Sequence, residues 1–151
     1  EPVRRLREVD AVAQVVRDGA VRRLPAGIAG WRVDTSPGRA YRLRRPQEKC
    51  LLAELPRLHW LAVAGIGRPQ GFFDMLTRAG LDFEPHAYPD HHDYRPGELP
   101  EDRPLLMTEK DAVKCFSFAG ADWWAVELDL APETGFAHWL DAHIPTTARP
   151  V

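Results

Sequence analysis

The sequence predicts an α/β protein built on a small, mostly parallel sheet with helices on both faces. Segments typical of strands alternate with segments typical of helices from residue 51 onward, which favours βαβ units. The run Trp60–Ala64 is apolar at every position, as expected for a strand buried on both faces. A glycine-containing turn, Gly65–Gly67, then separates this run from the first helix.

The elements follow in a regular order. Pro69 is suited to the first turn of a helix, and Gly80 to the residue that ends it. Thr108 opens a second helix, and it forms an approximate capping box with Asp111, which accounts for both residues structurally. The further strands are predicted at residues 83–88, 104–107 and 123–128, and a last helix at 136–142.

The first third of the chain is harder to assign. Residues 3–18 fit a helix, although residues 10–16 fit a buried strand equally well. Residues 27–33 and 39–43 flank a turn rich in Asp, Ser, Pro and Gly at 34–38, which predicts a β-hairpin acting as a linker. Pro46 suggests a boundary, so we expect an N-terminal region with the linker at 1–47 and an α/β domain at 48–151.

Composition excludes several classes of protein. The 20 basic and 22 acidic residues nearly cancel, which argues against sequence-independent nucleic-acid binding. Arginines crowd the first third, where they form either a solvated face or a surface near phosphates or lipid headgroups. Cys50 and Cys115 make no disulfide framework and indicate a reducing compartment, with Cys115 in the core. The chain contains no apolar run of membrane-spanning length, and its first residue is Glu rather than Met, which suggests a fragment.

Gly65, Gly67 and Arg68 form the first candidate site. Backbone N–H groups of such a turn can bind an anion at a helix start, and Arg68 can contact a phosphate. A tight strand-to-helix turn is the favoured explanation of the glycines, ahead of a phosphate site. The 151 residues contain no GxxxxGK[ST] loop.

The densest polar cluster, Asp90–His91–His92–Asp93, follows a predicted strand. Ligands of α/β proteins bind at the carboxyl ends of strands, so the cluster is a candidate site. It is either a solvated loop, a metal site, or the source of one catalytic histidine paired with a carboxylate. Adjacent histidines rarely chelate one ion together, because they point in different directions on extended backbone.

Capping does not explain Glu109 and Lys110, which place two charges at a helix start beside the predicted site. Both are therefore further candidates for the site. We expect no metal ion to be bound by these residues.

Three segments in a fixed order carry a family likeness: residues 62–73, residues 86–92 and residues 106–115. Together they resemble the C-terminal half of the tetraacyldisaccharide 4'-kinases, also called lipid A 4'-kinases. The resemblance covers most of residues 48–130. It implies a Rossmann-like relative of the P-loop kinases, in which the hairpin at about 29–43 is similar to a two-stranded linker between two α/β domains.

The resemblance also implies a function. Members of this family use ATP and Mg²⁺ to phosphorylate the 4'-hydroxyl of a tetraacyl glucosamine disaccharide 1-phosphate, at the cytoplasmic face of the bacterial inner membrane. Their P-loop, magnesium ligands and catalytic aspartate belong to the half that precedes this chain. The chain by itself is therefore expected to be inactive, with the lipid A precursor, ATP and a membrane surface as partners of the complete enzyme.

Site residues follow from the same resemblance. His91, preceded by Asp90, matches the histidine that pairs with the family's catalytic aspartate, and Glu1 matches a position near the active site. Arg68 departs from the family, since many relatives have Asn there. Two alternatives stay open: a binding module that docks a nucleotide or an acidic partner at residues 65–67, and a metal-dependent hydrolase built on residues 90–93.

Overall fold

A computed structural model describes residues 3–16, 21 and 23–144 of the chain. Packing divides them into two compact units. The first contains the described residues within Glu1–Ser36 and Leu130–Val151, and the second is Pro37–Asp129. The predicted fold class, an α/β protein with a mostly parallel sheet, is confirmed.

The described residues form seven strands and three α-helices. In chain order they are β1 (Ala11–Val16), β2 (Ala29–Arg42), β3 (Arg45–Leu51), β4 (His59–Ala64), α1 (Gln70–Arg78), β5 (Asp82–Ala87), β6 (Leu105–Thr108), α2 (Glu109–Cys115), β7 (Trp123–Pro132) and α3 (Phe136–His143). Short 3-10 turns occupy Val3–Glu8, Leu52–Glu54 and Phe116–Phe118.

Four parallel strands of the sheet lie in or reach into the second unit, in the order β5, β4, β6, β7. All three of these pairings are parallel, so the strands end at the same edge. The chain moves from β4 to β5 in one direction, then returns past β4 to β6 and continues to β7. This reversal makes the carboxyl ends of β5, β4 and β6 a topological switch point.

The residues of β4 alternate between two hydrophobic clusters, which explains why its sequence is apolar without interruption. Leu61 and Val63 belong to the cluster that contains Ala112 and Cys115 of α2. The residues on the other face of β4 pack against α1: Trp60, Ala62 and Ala64 with Phe72, Phe73 and Leu76. Helices therefore cover both faces, as predicted.

Gly80 ends α1 as predicted. Its φ of 75° lies in the left-handed region that glycine adopts without steric cost. Its N–H donates to the Thr77 carbonyl at 2.9 Å, and the Leu81 N–H donates to the Leu76 carbonyl at 3.2 Å. This pair of bonds is the Schellman motif, and it satisfies carbonyls at the end of the helix.

The predicted turn at residues 34–38 is wrong, because β2 runs through it without interruption. Gly38 is needed for close packing instead: a Cβ there would lie 2.9 Å from Asp129 Oδ1 and 3.0 Å from Glu127 Cβ. A hairpin does precede β4, but its two-residue turn is Leu43–Arg44, which joins β2 to the antiparallel β3.

The turn escaped prediction because tertiary contacts hold its two residues. Leu43 is 2% exposed, and its N–H donates to the Trp123 carbonyl at 2.9 Å. Arg44 Nε donates to the Ala119 carbonyl at 2.6 Å. Pro46 does not mark the end of an element, since it lies within β3. β3 pairs with β2 in the described sheet, and such an edge strand tolerates proline. Residues 47 and 48 both lie in β3, and the division of the complete protein into domains stays a prediction.

In the first unit, the strand alternative for residues 10–16 is confirmed, because β1 pairs in parallel with β2 from Ala11 to Val16. The strand is not buried throughout, since Val15 is 49% exposed. The predicted final helix is also confirmed as α3. Its Phe136 and Trp139 rings lie 5.8 Å and 6.4 Å from the Trp31 ring, centroid to centroid.

No helix in the described part of the chain is both long and apolar enough to cross a membrane.

Candidate functional site

Three chain segments meet where the parallel strands end. Gly65 follows β4 directly, and Asp90 with His91 follows β5 after two residues. Thr108 closes β6, and α2 begins at the next residue. The predicted cluster, the glycine turn and the charged helix start therefore lie at one edge of the sheet, at its switch point.

His91 has an unusual backbone conformation. Residues 89–92 form a turn in which the His92 N–H donates to the Pro89 carbonyl at 3.1 Å. His91 is the third residue of this turn, with a φ of 61°, and glycine is usual at that position of a type II turn. The His91 N–H donates to the Gly65 carbonyl at 3.2 Å, which ties the turn to the end of β4.

The His91 side chain points away from the core. It is 76% exposed, and its Nε2 lies 3.7 Å from Asp90 Oδ2. The imidazole is thus available to a group beyond the described residues, while its backbone is fixed. Strained conformations of this kind persist where the surrounding structure holds them in place, and they cluster at functional sites.

Asp90 forms an ion pair across the site. Lys110 Nζ donates to Asp90 Oδ1 at 3.2 Å, and the same oxygen accepts the His91 N–H at 3.0 Å. The hydrogen bond from Lys110 holds the pKa of Asp90 below its ordinary value, with His91 adding to this and desolvation opposing it. Lys110 therefore reaches the site, as its position at the helix start suggested. The Glu109 side chain forms no hydrogen bond or ion pair within the described residues.

Close packing around the site requires glycine at residue 65 and disfavours a side chain at residue 67. A Cβ at Gly65 would lie 2.8 Å from the Tyr94 hydroxyl and 3.0 Å from Asp111 Oδ1. A Cβ at Gly67 would lie 3.1 Å from Asp90 Oδ2. Packing alone thus explains Gly65 without an anion. Arg68 is exposed and has no ion-pair partner among the described residues.

Asp111 is the site residue that sequence reasoning missed. Thr108 caps α2 as expected, accepting the Asp111 N–H at 3.2 Å. The Asp111 carboxylate, however, does not complete a capping box: its Oδ2 accepts the Gly65 N–H at 3.0 Å and the Thr108 hydroxyl at 2.6 Å. The side chain is fully buried. A capping residue is usually exposed to solvent, so the pattern Thr-x-x-Asp gave no signal for this long-range contact.

His92 belongs to a packed polar cluster and not to the exposed part of the site. Its Nε2 lies 2.5 Å from Glu98 Oε1, and its ring centroid lies 4.5 Å from that of Tyr88 and 4.7 Å from that of Tyr94. Tyr94 is 4% exposed, and burial followed by the charge of Asp111 raises the pKa of its hydroxyl. His91 and His92 therefore have different surroundings although they are adjacent.

Among residues 3–16, 21 and 23–144, no three His, Cys, Asp or Glu side chains are grouped so that they could hold a metal ion. The hydrolase alternative built on residues 90–93 therefore gains no support from the described structure. Glu1, the remaining candidate, lies outside the described residues.

Charged and exposed groups gathered at the switch point of a parallel α/β sheet are typical of ligand-binding α/β domains. The family model described as "LpxK: Tetraacyldisaccharide-1-P 4'-kinase" matches residues 1–145. The chain therefore belongs to this family.

Curated relatives agree with the family assignment. The tetraacyldisaccharide 4'-kinase of Thiobacillus denitrificans is 55% identical over 140 residues, which cover 93% of this chain and 43% of the relative. The tetraacyldisaccharide 4'-kinase of Methylobacillus flagellatus is 43% identical over 146 residues, which cover 95% of this chain and 42% of the relative. The chain thus spans less than half the length of these relatives.

A solved structure shares the fold. LpxK from Aquifex aeolicus, described as an "apo" form in complex with ATP, matches with a TM-score of 0.67 and 19% identity. The match covers 91% of this chain and 43% of the Aquifex chain.

The backbone of His91 allows a test that separates stability from function. We expect His91→Gly to leave the free energy of unfolding unchanged or to raise it by up to about 1 kcal/mol. The left-handed conformation costs an L-residue roughly 1–2 kcal/mol, whereas glycine loses about 0.5–1 kcal/mol in backbone entropy. His91→Val is the matched control, and it should lower stability because a β-branched residue tolerates this φ worst. Urea unfolding measures the free energy of unfolding of both variants. A clear loss of stability on His91→Gly would show that the imidazole supports the fold.

The Asp90–Lys110 ion pair predicts a pH effect. Because the pKa of Asp90 is lowered in the folded protein, the pair stabilises the fold above the ordinary pKa of aspartate, and this contribution is lost as the pH falls through the folded-state pKa. Lys110→Met should raise the pKa of Asp90, which carboxyl NMR titration would detect. Lys49→Met, on β3, should leave that titration unchanged. An Asp90 pKa that does not move on Lys110→Met would contradict the assigned cause.

Proposed function

We propose that this chain is the C-terminal part of a kinase that transfers the γ-phosphate of ATP to the 4'-hydroxyl of a tetraacyl glucosamine disaccharide 1-phosphate, a step of lipid A synthesis. Membership of the LpxK family supports the reaction class. The names of the relatives support the substrate, and the ATP in the Aquifex aeolicus structure supports the phosphate donor.

His91 is the residue that carries the proposal. Its imidazole is exposed at the carboxyl ends of the strands while its backbone is held by Gly65. In the complete kinase it hydrogen-bonds to a carboxylate supplied by the other half of the enzyme. Such a contact orients the carboxylate and tunes its basicity, so that it can accept the proton of the attacking sugar hydroxyl.

Asp90 has a supporting part in this scheme. Its Oδ1 already accepts bonds from Lys110 and from the His91 N–H, while its Oδ2 lies 3.7 Å from the His91 imidazole. A carboxylate at this distance attracts an imidazole N–H electrostatically. Asp90 therefore limits the orientations of the ring before the two halves of the active site meet.

ATP and Mg²⁺ are bound mainly by protein outside these 151 residues, which contain no GxxxxGK[ST] loop. Among the residues that the structure describes, no three His, Cys, Asp or Glu side chains are grouped to hold a metal ion. Bound by the other half of the kinase, Mg²⁺ would supply charge neutralisation for the transferred phosphoryl group. Arg68 is exposed beside Gly67 and is suited to contact an anionic substrate group.

We extend the proposal to location: the complete kinase acts at the cytoplasmic face of the bacterial inner membrane, because its acylated substrate resides in a lipid surface. Cell fractionation of the complete kinase tests this. Full recovery in the soluble fraction, with none on membranes, would contradict it.

The isolated chain should show no ATP-dependent phosphorylation of the disaccharide, because the phosphate-binding loop and the catalytic carboxylate are expected elsewhere. A radiometric assay against the complete kinase measures this directly. ATP titration of the isolated chain then distinguishes the alternative function. Tight ATP binding without turnover would favour a nucleotide-binding module over a passive wall of the active site.

In the complete kinase, His91→Ala should lower kcat about 10²-fold or more, in the range for groups that assist proton transfer. Stability should change little, because the side chain is exposed. His59→Ala is the matched control: His59 Nδ1 lies 3.0 Å from Asp82 Oδ2, and this exposed pair sits at the opposite edge of the same sheet. Steady-state kinetics should show normal turnover for the control. Equal kcat for His91→Ala and the unaltered enzyme would refute the role.

A further inference from the structure

Lys114 contacts the same turn as Lys110, from one helical turn further along α2. Its Nζ donates to the His92 carbonyl at 2.8 Å and lies 3.5 Å from Asp111 Oδ1. The ammonium also lies 5.6 Å from the centroid of the Tyr94 ring. The side chain is 22% exposed, so most of it is removed from water.

Asp111 reaches the turn by a second route. Its Oδ2 accepts the Gly65 N–H, and the Gly65 carbonyl accepts the His91 N–H. The carboxylate therefore connects to residue 91 through Gly65 on one side, and to residue 92 through Lys114 on the other. Both routes start from a single fully buried side chain.

A buried carboxylate is destabilising unless a charge and hydrogen bonds compensate it. Asp111 Oδ1 has no hydrogen-bond partner within the described structure, and the ammonium of Lys114 is a positive charge 3.5 Å from it. Removing that charge affects the carboxylate and the His92 carbonyl together. Helix capping explains neither contact, because the cap is completed by Thr108 alone.

We propose that Asp111 and Lys114 are positioning residues for His91: their ion pair holds the 89–92 turn at residues 91 and 92 and keeps His91 in its left-handed conformation. The inference rests on the proposed role of His91 in phosphoryl transfer. Neither residue touches the reacting groups. They act through the backbone at Gly65 and His92, which fixes the position of the Cα atom from which the His91 imidazole extends.

The test uses the complete kinase with the variants Lys114→Met and Lys114→Arg. Lys114→Met should lower kcat roughly tenfold to hundredfold, because a displacement of about 1 Å in a catalytic group has an effect of this size. KM for both substrates should stay within about twofold of the unaltered value, since no substrate contact is lost. Lys114→Arg, which keeps the charge and a donor, should restore most of the activity.

Lys49→Met is the matched control, because Lys49 also pairs with a carboxylate, that of Glu127, and lies 5.3 Å from a tyrosine ring centroid, that of Tyr41. This variant should keep normal turnover. If Lys114→Met does not fold, Lys114→Gln replaces it. Gln can still donate to the His92 carbonyl but lacks the charge, so an intermediate loss is expected.

A double-substitution cycle decides between positioning and a general structural role. If Lys114 acts through His91, adding Lys114→Met to His91→Ala should cause no further loss of kcat. An equal fold-loss in both backgrounds, or normal kcat for Lys114→Met alone, would overturn the inference. Failure of His91→Ala itself to lower kcat would instead overturn the proposed function.

Amide hydrogen exchange gives a readout that does not depend on turnover. Lys114→Met should increase exchange at the His91 N–H relative to Lys49→Met, because the turn loses one of its anchors. Equal protection of that N–H in the two variants would overturn the inference, whatever the kinetic result.

Discussion

The hydrogen bond from the Gly65 N–H to the buried carboxylate of Asp111 is the contact on which the site depends. It joins the end of β4 to α2, and the Gly65 carbonyl extends the link to His91 beyond β5. Three segments that are distant in sequence are thereby fixed at one edge. No side chain fits at residue 65, because its Cβ would meet the Tyr94 hydroxyl and Asp111 Oδ1.

The rigidity of this edge comes from the sheet beneath it. β4 is buried on both faces, with α1 on one side and α2 on the other, so its end cannot shift without disturbing two packed clusters. Because this sheet holds the backbone of His91, the exposed imidazole has a defined position and can still contact a group from another part of the protein. This arrangement suits a domain that completes an active site instead of containing a whole one.

Sequence patterns predicted the local features well. The alternation of elements, the doubly buried strand, the glycine that ends α1 and the strand-end location of Asp90 and His91 depend on neighbouring residues and on general rules for parallel sheets. The predicted hairpin turn was wrong because residues 34–38 are of types common in turns (Asp, Ser, Pro and Gly), although here they continue strand β2. The true turn, Leu43–Arg44, is held by contacts with residues about 75 or more positions away. Likewise, the position of Asp111 near the start of α2 was explained by helix capping, so no sequence pattern gave a reason to expect its hydrogen bond to Gly65.

The sequence by itself determined the fold class, the family likeness and the neighbourhood of the site, because periodicity and motif order are encoded over short stretches of chain. Only the tertiary structure decided which charged residues act together. It separated His91, exposed and strained, from His92, packed against Glu98 and two tyrosines. It also showed that Asp111, expected to be a capping residue, is buried and accepts the Gly65 N–H at the site. The physical reason is that burial and long-range hydrogen bonding depend on neighbours that are brought close only when the sheet forms.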